Sequence, residues 1–569
     1  MRISAHSVAS AFAVLVLYVA AVVWLTWPLA LGASTHLPDP HPERRFDTLY
    51  MAWVLSYESH TLTTDPARLR DTNIFHPARD TLFYGDTGFG ALPYFMPVFL
   101  ATGNPSLALD TMMLGSFALT ATMLHLVVRR FTGSHLAGVV AASVLLLDRW
   151  LLWDFVPNAP SYAVLQYFPL IVLLAAAPAR RLGDALRLLP FIALQCLTDV
   201  VYVATALMVP LGLLALVRLA RPATRAAGVR LLTVLALAVA LLVPLYAQHR
   251  AVALANPRLA EQTNFPGLAE PALSLPWGLV GFWSPLAVPL AAFALIGVGA
   301  LVARLASASG PRLGLAWRHG LLWTVVGLAM MLTPTIVWRG QTITLPTAWL
   351  GIHKYLRVPT RLGVAALFGI AILTGVAFAE CAARARRAGR LGPGLCALVV
   401  LVAMGFEYRR GLGPALRDPL PASYPVASGT VADSPVMDAL RAPGGPVLQL
   451  PVGPAGGVLP TFHARAMYRS IFHWRRLVNG YSSYWPAGFA ERMALATALP
   501  DPRALAALRR ETGVALLLVD AGFMRVGRDA WLDLASRGGR DDLRLVTRDG
   551  DGLLLFEVRD AGPSAGAPG

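Results

Sequence analysis

The stretch Leu124-His125-Leu126-Val127-Val128-Arg129-Arg130-Phe131-Thr132-Gly133 decides how this chain must be read. It ends an apolar block, residues 107–128, that meets the ~20 residues a membrane-crossing helix needs. Two arginines and then a glycine stop the block, the charge and turn signals that bound a span. Working outward, similar blocks recur at residues 136–147, 162–177, 185–197, 200–217, 229–246, 285–303, 320–337, 364–379 and 395–406, and at 8–31 behind Arg2. The N-terminal block is longer than the ~7–15 apolar residues of a secretory leader and reads as an uncleaved anchor. The count is about eleven spans.

Composition agrees. Of 569 residues, 56% are apolar and 14% charged, against roughly 45–50% and 25% in soluble domains. Mean hydropathy is +0.57. These values exclude a string of soluble domains and a disordered chain. The 48 lysines and arginines outnumber 32 acids, for a net charge of +16. Nucleic acid is still excluded as a partner, because the arginines cluster in short connections between apolar blocks instead of forming a basic face with interleaved aromatics. With the N-terminus cytoplasmic, the cytoplasmic connections hold Arg129-Arg130, Arg180-Arg181, Arg218 to Arg230, Arg304 to Arg318 and Arg384 to Arg390. The opposite connections are richer in Pro, Trp, Asn and carboxylates, so the positive-inside rule puts everything after Arg409 outside. Cys196, Cys381 and Cys396 offer neither a disulfide framework nor a CxxC metal spacing.

The expected fold is mostly α. Residues 1–410 form a polytopic membrane helix bundle with a long outer loop at 33–90, residues 411–562 an extracytoplasmic α/β domain, and residues 563–569 a disordered tail. Within the second domain, 446–450 and 514–519 read as buried strands and 502–512 as a helix. Residues 543–547 and 553–558 read as a hairpin around Asp549-Gly550-Asp551-Gly552.

Polar groups are costly against a bilayer, so chemistry is expected in the outward-facing loops. The first carries Asp39, His41, Glu43, Asp47, Glu58, Asp65, Asp71, His76, Asp80 and Asp86 among many aromatics. Asp47 opens an amphipathic stretch at helical spacing. Its plain role is an N-cap on an interfacial helix, and its sharper role a general base. Asp148 and Asp154 sit with Trp150 and Trp153 in a second outer loop, where an aromatic belt is the plain reading. A later loop holds Trp338, Arg339, His353, Lys354 (the only lysine), Arg357 and Arg361 without one acid. Such a cluster suits an anion, a phosphate at the membrane surface or a lipid headgroup. In the outer domain, Arg469, His473, Arg475 and Arg476 alternate with Tyr468, Phe472, Trp474, Tyr481, Tyr484 and Trp485. Ring faces suit a sugar and forked cations its phosphate; docking onto the membrane is the plainer role. Arg469 and His473 are expected to face the space above Asp47.

An anchor, an acidic outer loop, the apolar re-entry Leu92-Pro93-Tyr94-Phe95-Met96-Pro97, then Asn104-Pro105 and the exit Arg129-Arg130-Phe131-Thr132-Gly133 resemble the GT-C superfamily of membrane glycosyltransferases. The block through Trp150 is similar to the protein mannosyltransferases and the aminoarabinose lipid A transferase. Asp71-Thr72-Asn73-Ile74-Phe75-His76-Pro77, Leu356-Arg357-Val358-Pro359-Thr360-Arg361 and the segment from Met467 to Tyr481 resemble a group of large bacterial GT-C-like membrane proteins over most of the chain.

That resemblance implies a bacterial inner-membrane enzyme. It would move a sugar from a polyprenyl-phosphate carrier to a glycan, lipid or protein acceptor on the outer face, with inversion. It implies Asp47 as catalytic base with Asp39 as alternative, and Asp148 or Asp154 as a second acidic contribution. Lys354, Arg357 and Arg361, beside His353, would clamp the phosphate, and Arg469, His473 and Arg475 would touch substrate from above. A divalent metal ion is the candidate cofactor. The family's paired acidic motif is not present as adjacent acids; the nearest arrangement is Asp39-Pro40-His41-Pro42-Glu43. A rival reading is a non-catalytic protein of the same fold that binds or moves the lipid-linked sugar. A secondary transporter would carry internal repeats and broken helices at mid-membrane; no repeat is visible, and the one mid-block acid noted, Asp199, falls at an outer turn.

Overall fold

A computed structural model describes residues 5–256, 273–275, 284–305, 310–350, 356, 358–411, 418–453 and 459–559. It is mostly helical, at 64%. The first region contains α1 (Ala5–Leu25), α2 (Arg45–Thr64), α3 (Leu92–Thr102), α4 (Pro105–Thr132), α5 (His135–Leu146), α6 (Arg149–Leu152), α7 (Tyr167–Ala176) and α8 (Leu182–Leu186). It continues through α9 (Leu189–Cys196), α10 (Tyr202–Ala220), α11 (Arg225–Ala255), α12 (Leu290–Leu305), α13 (Pro311–Met330), α14 (Val364–Ala388) and α15 (Gly392–Arg410).

Six segments are long and apolar enough to cross a membrane by length and composition: Val8–Leu25, Pro105–Thr132, Tyr202–Ala220, Pro222–Ala255, Pro359–Arg387 and Gly392–Arg410. Four further apolar helices, α3, α5, α7 and α12, are shorter. Fewer full-length spans therefore appear among the described residues than the eleven apolar blocks suggest. The blocks at 162–177 and 185–197 show why. Pro160 opens a 3-10 turn ahead of α7, and Pro190 opens α9. Proline lacks the amide donor a continuous helix requires.

Local signals set the ends of α4. The Asn104 side chain accepts from the Leu107 amide at 2.9 Å, Pro105 follows at the first helical position, and Gly133 closes the helix at φ 73°. The apolar part of the Pro359–Arg387 segment is wholly buried, with α5, α12 and α13 packed around α14, and only its arginine-bearing end is exposed. Small residues permit that approach: a Cβ on Gly327 of α13 would stand 2.3 Å from the Ala366 nitrogen.

In the second region the described elements are α16 (Pro435–Arg441), α17 (Pro460–Ser470), α18 (Phe489–Thr497), α19 (Pro502–Thr512) and α20 (Arg528–Ser536). Among the described residues of both regions the strands are β1 (His36–Pro38), β2 (Leu273–Leu275), β3 (Thr335–Trp338), β4 (Gln341–Thr344), β5 (Val426–Ser428), β6 (Val447–Leu450), β7 (Leu516–Asp520), β8 (Gly539–Arg540), β9 (Leu543–Arg548) and β10 (Leu553–Val558). One five-stranded sheet runs β6-β7-β10-β9-β8. β6 and β7 are parallel, and β9 and β10 form the expected antiparallel hairpin. The Asp501 side chain caps α19 by accepting from the Ala504 amide at 2.9 Å. β1 of the first outer loop pairs antiparallel with β5, so that loop and the C-terminal region are stitched together.

The α2 helix departs from expectation. Every residue from Thr48 to Ser59 is buried, because α17 packs over it on one side while α3 and α4 cover another. It is a core helix, not an interfacial one. The proposed tail at 563–569 lies outside the described residues.

Candidate functional site

Two of the segments singled out in the sequence lie side by side. The Phe75 amide donates to the Asn479 carbonyl at 2.9 Å, His76 to Leu477 at 2.8 Å, and Leu477 back to Asn73 at 2.6 Å. The Asn73 side chain fastens this ladder. Its amide donates to Ser470 Oγ at 3.0 Å and the Arg475 carbonyl at 3.2 Å, and its oxygen accepts from Trp53 Nε1 of α2 at 3.0 Å. Phe75 lies flat against Gly480, where a Cβ would stand 2.3 Å from the ring. The ladder delivers Tyr481 onto α2, and its hydroxyl donates to Asp47 Oδ1 at 2.5 Å.

Asp47 lies in the first turn of α2 but does not cap it; the cap position is Arg44. Its carboxylate turns to Tyr481 instead. Burial pushes the Asp47 carboxyl up to about 6, against the pull of the Tyr481 hydroxyl, Arg361 and Arg44. Arg361 is thus close enough to interact with Asp47 electrostatically, although the two are far apart along the chain. The Arg361 guanidinium lies 4.3 Å from the Phe155 ring centre, 5.1 Å from Tyr202 and 5.9 Å from Tyr162. Ring faces attract a cation and fix its direction. Tyr202 also accepts from the Val358 amide at 3.2 Å, anchoring the segment that carries Arg361.

The loop of residues 148–158 enters the same cluster. Asn158 donates to Thr48 Oγ1, which donates to the Pro157 carbonyl, both at 3.3 Å. Phe155 reaches Arg361, and Asp154 has His41 and Arg149 as its charged neighbours. Burial raises the Asp154 carboxyl, and raises that of Asp148 further. Asp148 Oδ1 caps α6 by accepting from the Trp150 amide at 3.0 Å, so it is an element of structure. Asp199 is also a cap, accepting from the amides of Val201, Tyr202 and Val203.

Other expected site residues lie elsewhere. Asp39 is gripped by Arg45, whose Nε and Nη2 donate at 2.9 and 2.5 Å, so its carboxylate is taken up by a structural ion pair. Arg469 does not face Asp47; it pairs with Asp520 at 3.2 Å, at the end of β7, beside Arg465. Arg475 donates to the carbonyls of Ala439, Leu440, Ala442 and Gly445, a structural clasp. His473 accepts from the Arg475 amide at 3.1 Å, and burial pushes its imidazole down to about 3, so it is neutral. His353, Lys354 and Arg357 lie outside the described residues.

One residue that the sequence names without a role and one that it passes over stand out. Asp86, one acid among many in the loop 33–90, is exposed and interacts electrostatically with Tyr50, Tyr162 and Tyr481. Asp110 is wholly buried in α4, and its carboxylate oxygens find no hydrogen bond among the described residues, so Asp199 is not the one acid within an apolar block. For a metal ion the fit is poor: among the described residues no group of three or more His, Cys, Asp or Glu is placed to hold one. The partners of Asp47 are a tyrosine hydroxyl and two guanidinium groups. No known protein family matches this chain, and no characterised protein does.

Proposed function

We propose that this chain is a membrane glycosyltransferase of GT-C type, using a polyprenyl-phosphate-linked sugar as donor at the outer face of a bacterial inner membrane. The observation that carries the reading is the meeting of Asp47 and Arg361 from distant segments, within one cluster of aromatic side chains. A carboxyl near 6 is ionised at neutral pH yet basic enough to take a proton in a transition state.

In the step, Asp47 takes the proton of an acceptor hydroxyl. The acceptor oxygen bonds to the anomeric carbon from the face opposite the carrier. The bond from that carbon to the phosphate oxygen breaks, its electron pair going to the phosphate, and the configuration inverts. Arg361 offsets the charge that collects on the departing phosphate. Asp47 then releases its proton to water.

The test is a transfer assay with the full-length protein in detergent, a radiolabelled polyprenyl-phosphate sugar and cell-envelope glycan acceptors. Wild type should release polyprenyl phosphate, and Asp47→Asn and Arg361→Ala should not. One feature favours the rival reading, binding without transfer: Asp47 Oδ1 is already engaged by Tyr481. Wild type that binds donor but releases no carrier phosphate with any acceptor selects it.

A further inference from the structure

The arginine-rich segment that does not face Asp47 lines a cavity of its own. Its volume is about 390 Å³, and its walls are Arg68, Arg441, Arg475, Arg476, His473 and Trp474 with the turn from Ala442 to Pro446. Four guanidinium groups line it, and no carboxylate does. We propose that this cavity is a second binding site, specific for a sugar phosphate.

The walls come from two regions and are firmly built. Arg68 belongs to the first outer loop, the rest to the C-terminal region. Arg475 fixes the turn from Ala439 to Gly445 through its four carbonyl acceptors. A Cβ on Gly444 would stand 2.2 Å from Arg475 Nη1, so this glycine lets the clasp close. The Trp474 ring stacks on His60 of α2, with centres 4.2 Å apart and planes at 6°. That pins the tryptophan despite its backbone φ of 53°, a region costly for a bulky residue.

The charges divide by duty. His473 is neutral and Arg475 is the clasp. Arg441 leans on the exposed Asp433 and Asp438, and Arg68 on Asp65. Arg476 is exposed and makes no ion pair among the described residues. Arg476 is therefore the first group to offer forked donors to phosphate oxygens; Arg68, which meets Asp65 through Nε, adds its terminal nitrogens, whereas both of Arg441's are engaged, and the edge of Trp474 offers apolar surface to a sugar. His60 is roughly 20 Å along α2 from Asp47 at ~1.5 Å rise per residue. The cavity is thus separate from the proposed transfer site and suits a distant part of a phosphate-bearing glycan.

Equilibrium dialysis of the full-length protein with radiolabelled glucose 1-phosphate tests this. Binding should saturate, resist competition by glucose and yield to inorganic phosphate. The double variant Arg68→Ala/Arg476→Ala changes exposed side chains only and should weaken binding at least tenfold, while Arg544→Ala, an exposed arginine that does not line the cavity, leaves it unchanged. Equal binding by the double variant, or the same loss in Arg544→Ala, overturns the proposal. Nanodiscs distinguish the source of the phosphate. If phosphatidylglycerol discs abolish glucose 1-phosphate binding and phosphatidylcholine discs do not, the cavity is a lipid-headgroup site and the sugar-phosphate assignment falls.

Discussion

Arg361 and the arginines between Arg465 and Arg476 are the same side chain set in two different ways. Arg361 lies against three rings, beside a carboxylate carried by a distant segment. Arg469 is locked to Asp520, and Arg475 to four backbone carbonyls. The first arrangement holds a charge among ring faces and by a hydrogen bond to Tyr162, within reach of a distant carboxylate; the second engages the charge in an ion pair and with backbone carbonyls of its own region. Counting cations along the sequence misses this difference, because what each guanidinium packs against decides its role.

The largest expected effect lies on the first side of that comparison. Asp47→Asn should lower transfer at least ~100-fold, the usual loss with a general base. It should not lower the melting temperature, since a carboxyl raised to about 6 by burial is easier to bury as an amide. A variant that unfolds instead would make Asp47 a structural residue. Arg361→Lys comes next: it keeps the charge and loses the planar fork, and transfer should fall roughly tenfold. On the other side, Arg469→Ala should leave transfer per folded molecule unchanged and lower stability by about 1–2 kcal/mol, because it removes the shorter of Asp520's two ion pairs and leaves Arg465 as the other. Guanidinium unfolding followed by tryptophan fluorescence checks this. An inactive but fully stable Arg469→Ala would erase the contrast and return Arg469 to the site.

Much of this was legible in the sequence, for physical reasons. Apolar blocks and arginine pairs mark long helices, since a helix in lipid must be apolar over a fixed length. The hairpin of β9 and β10 announced itself through Asp549-Gly550-Asp551-Gly552. Asp47 stood out because it opens a helical pattern in an acidic loop. What the sequence concealed was contact at long range. Nothing in it says that Tyr481 reaches Asp47, that Asn73 ties Trp53 to Ser470, or that Asp39 is held by Arg45. The stretch from Asp47 to Leu55 reads as amphipathic at helical spacing, yet every residue from Thr48 to Ser59 is buried by neighbours that the sequence does not disclose.

Tyr481→Phe sharpens the picture of Asp47 itself. The Tyr481 hydroxyl holds the Asp47 carboxyl down against burial. Its removal should move the acid limb of the pH–rate profile upward from the wild-type midpoint near 6, with the plateau rate changed little. A limb that stays in place would mean that Tyr481 does not touch the carboxylate during turnover.

Glu58 gives the smallest expected effect on transfer and the cleanest contrast with Asp47, because both are carboxylates on α2. Glu58 is wholly buried; its Oε1 accepts from the Gly88 amide at 3.3 Å, and its Oε2 finds no partner among the described residues. Burial pushes its carboxyl up to about 8, against that one hydrogen bond. The folded protein therefore keeps the proton to higher pH than the unfolded chain does, so stability is lost as pH rises from about 4.5 to 8 and then levels off. Glu58→Gln keeps the shape and the acceptor for Gly88 but removes the titration. At pH 5 the variant should match wild type. By pH 8 it should be the more stable by about 3–4 kcal/mol. Denaturation at the two pH values reads this directly. If the variant and wild type keep the same difference at both, Glu58 is ionised throughout, and the contrast between a neutral structural carboxyl and an ionised catalytic one on the same helix does not hold.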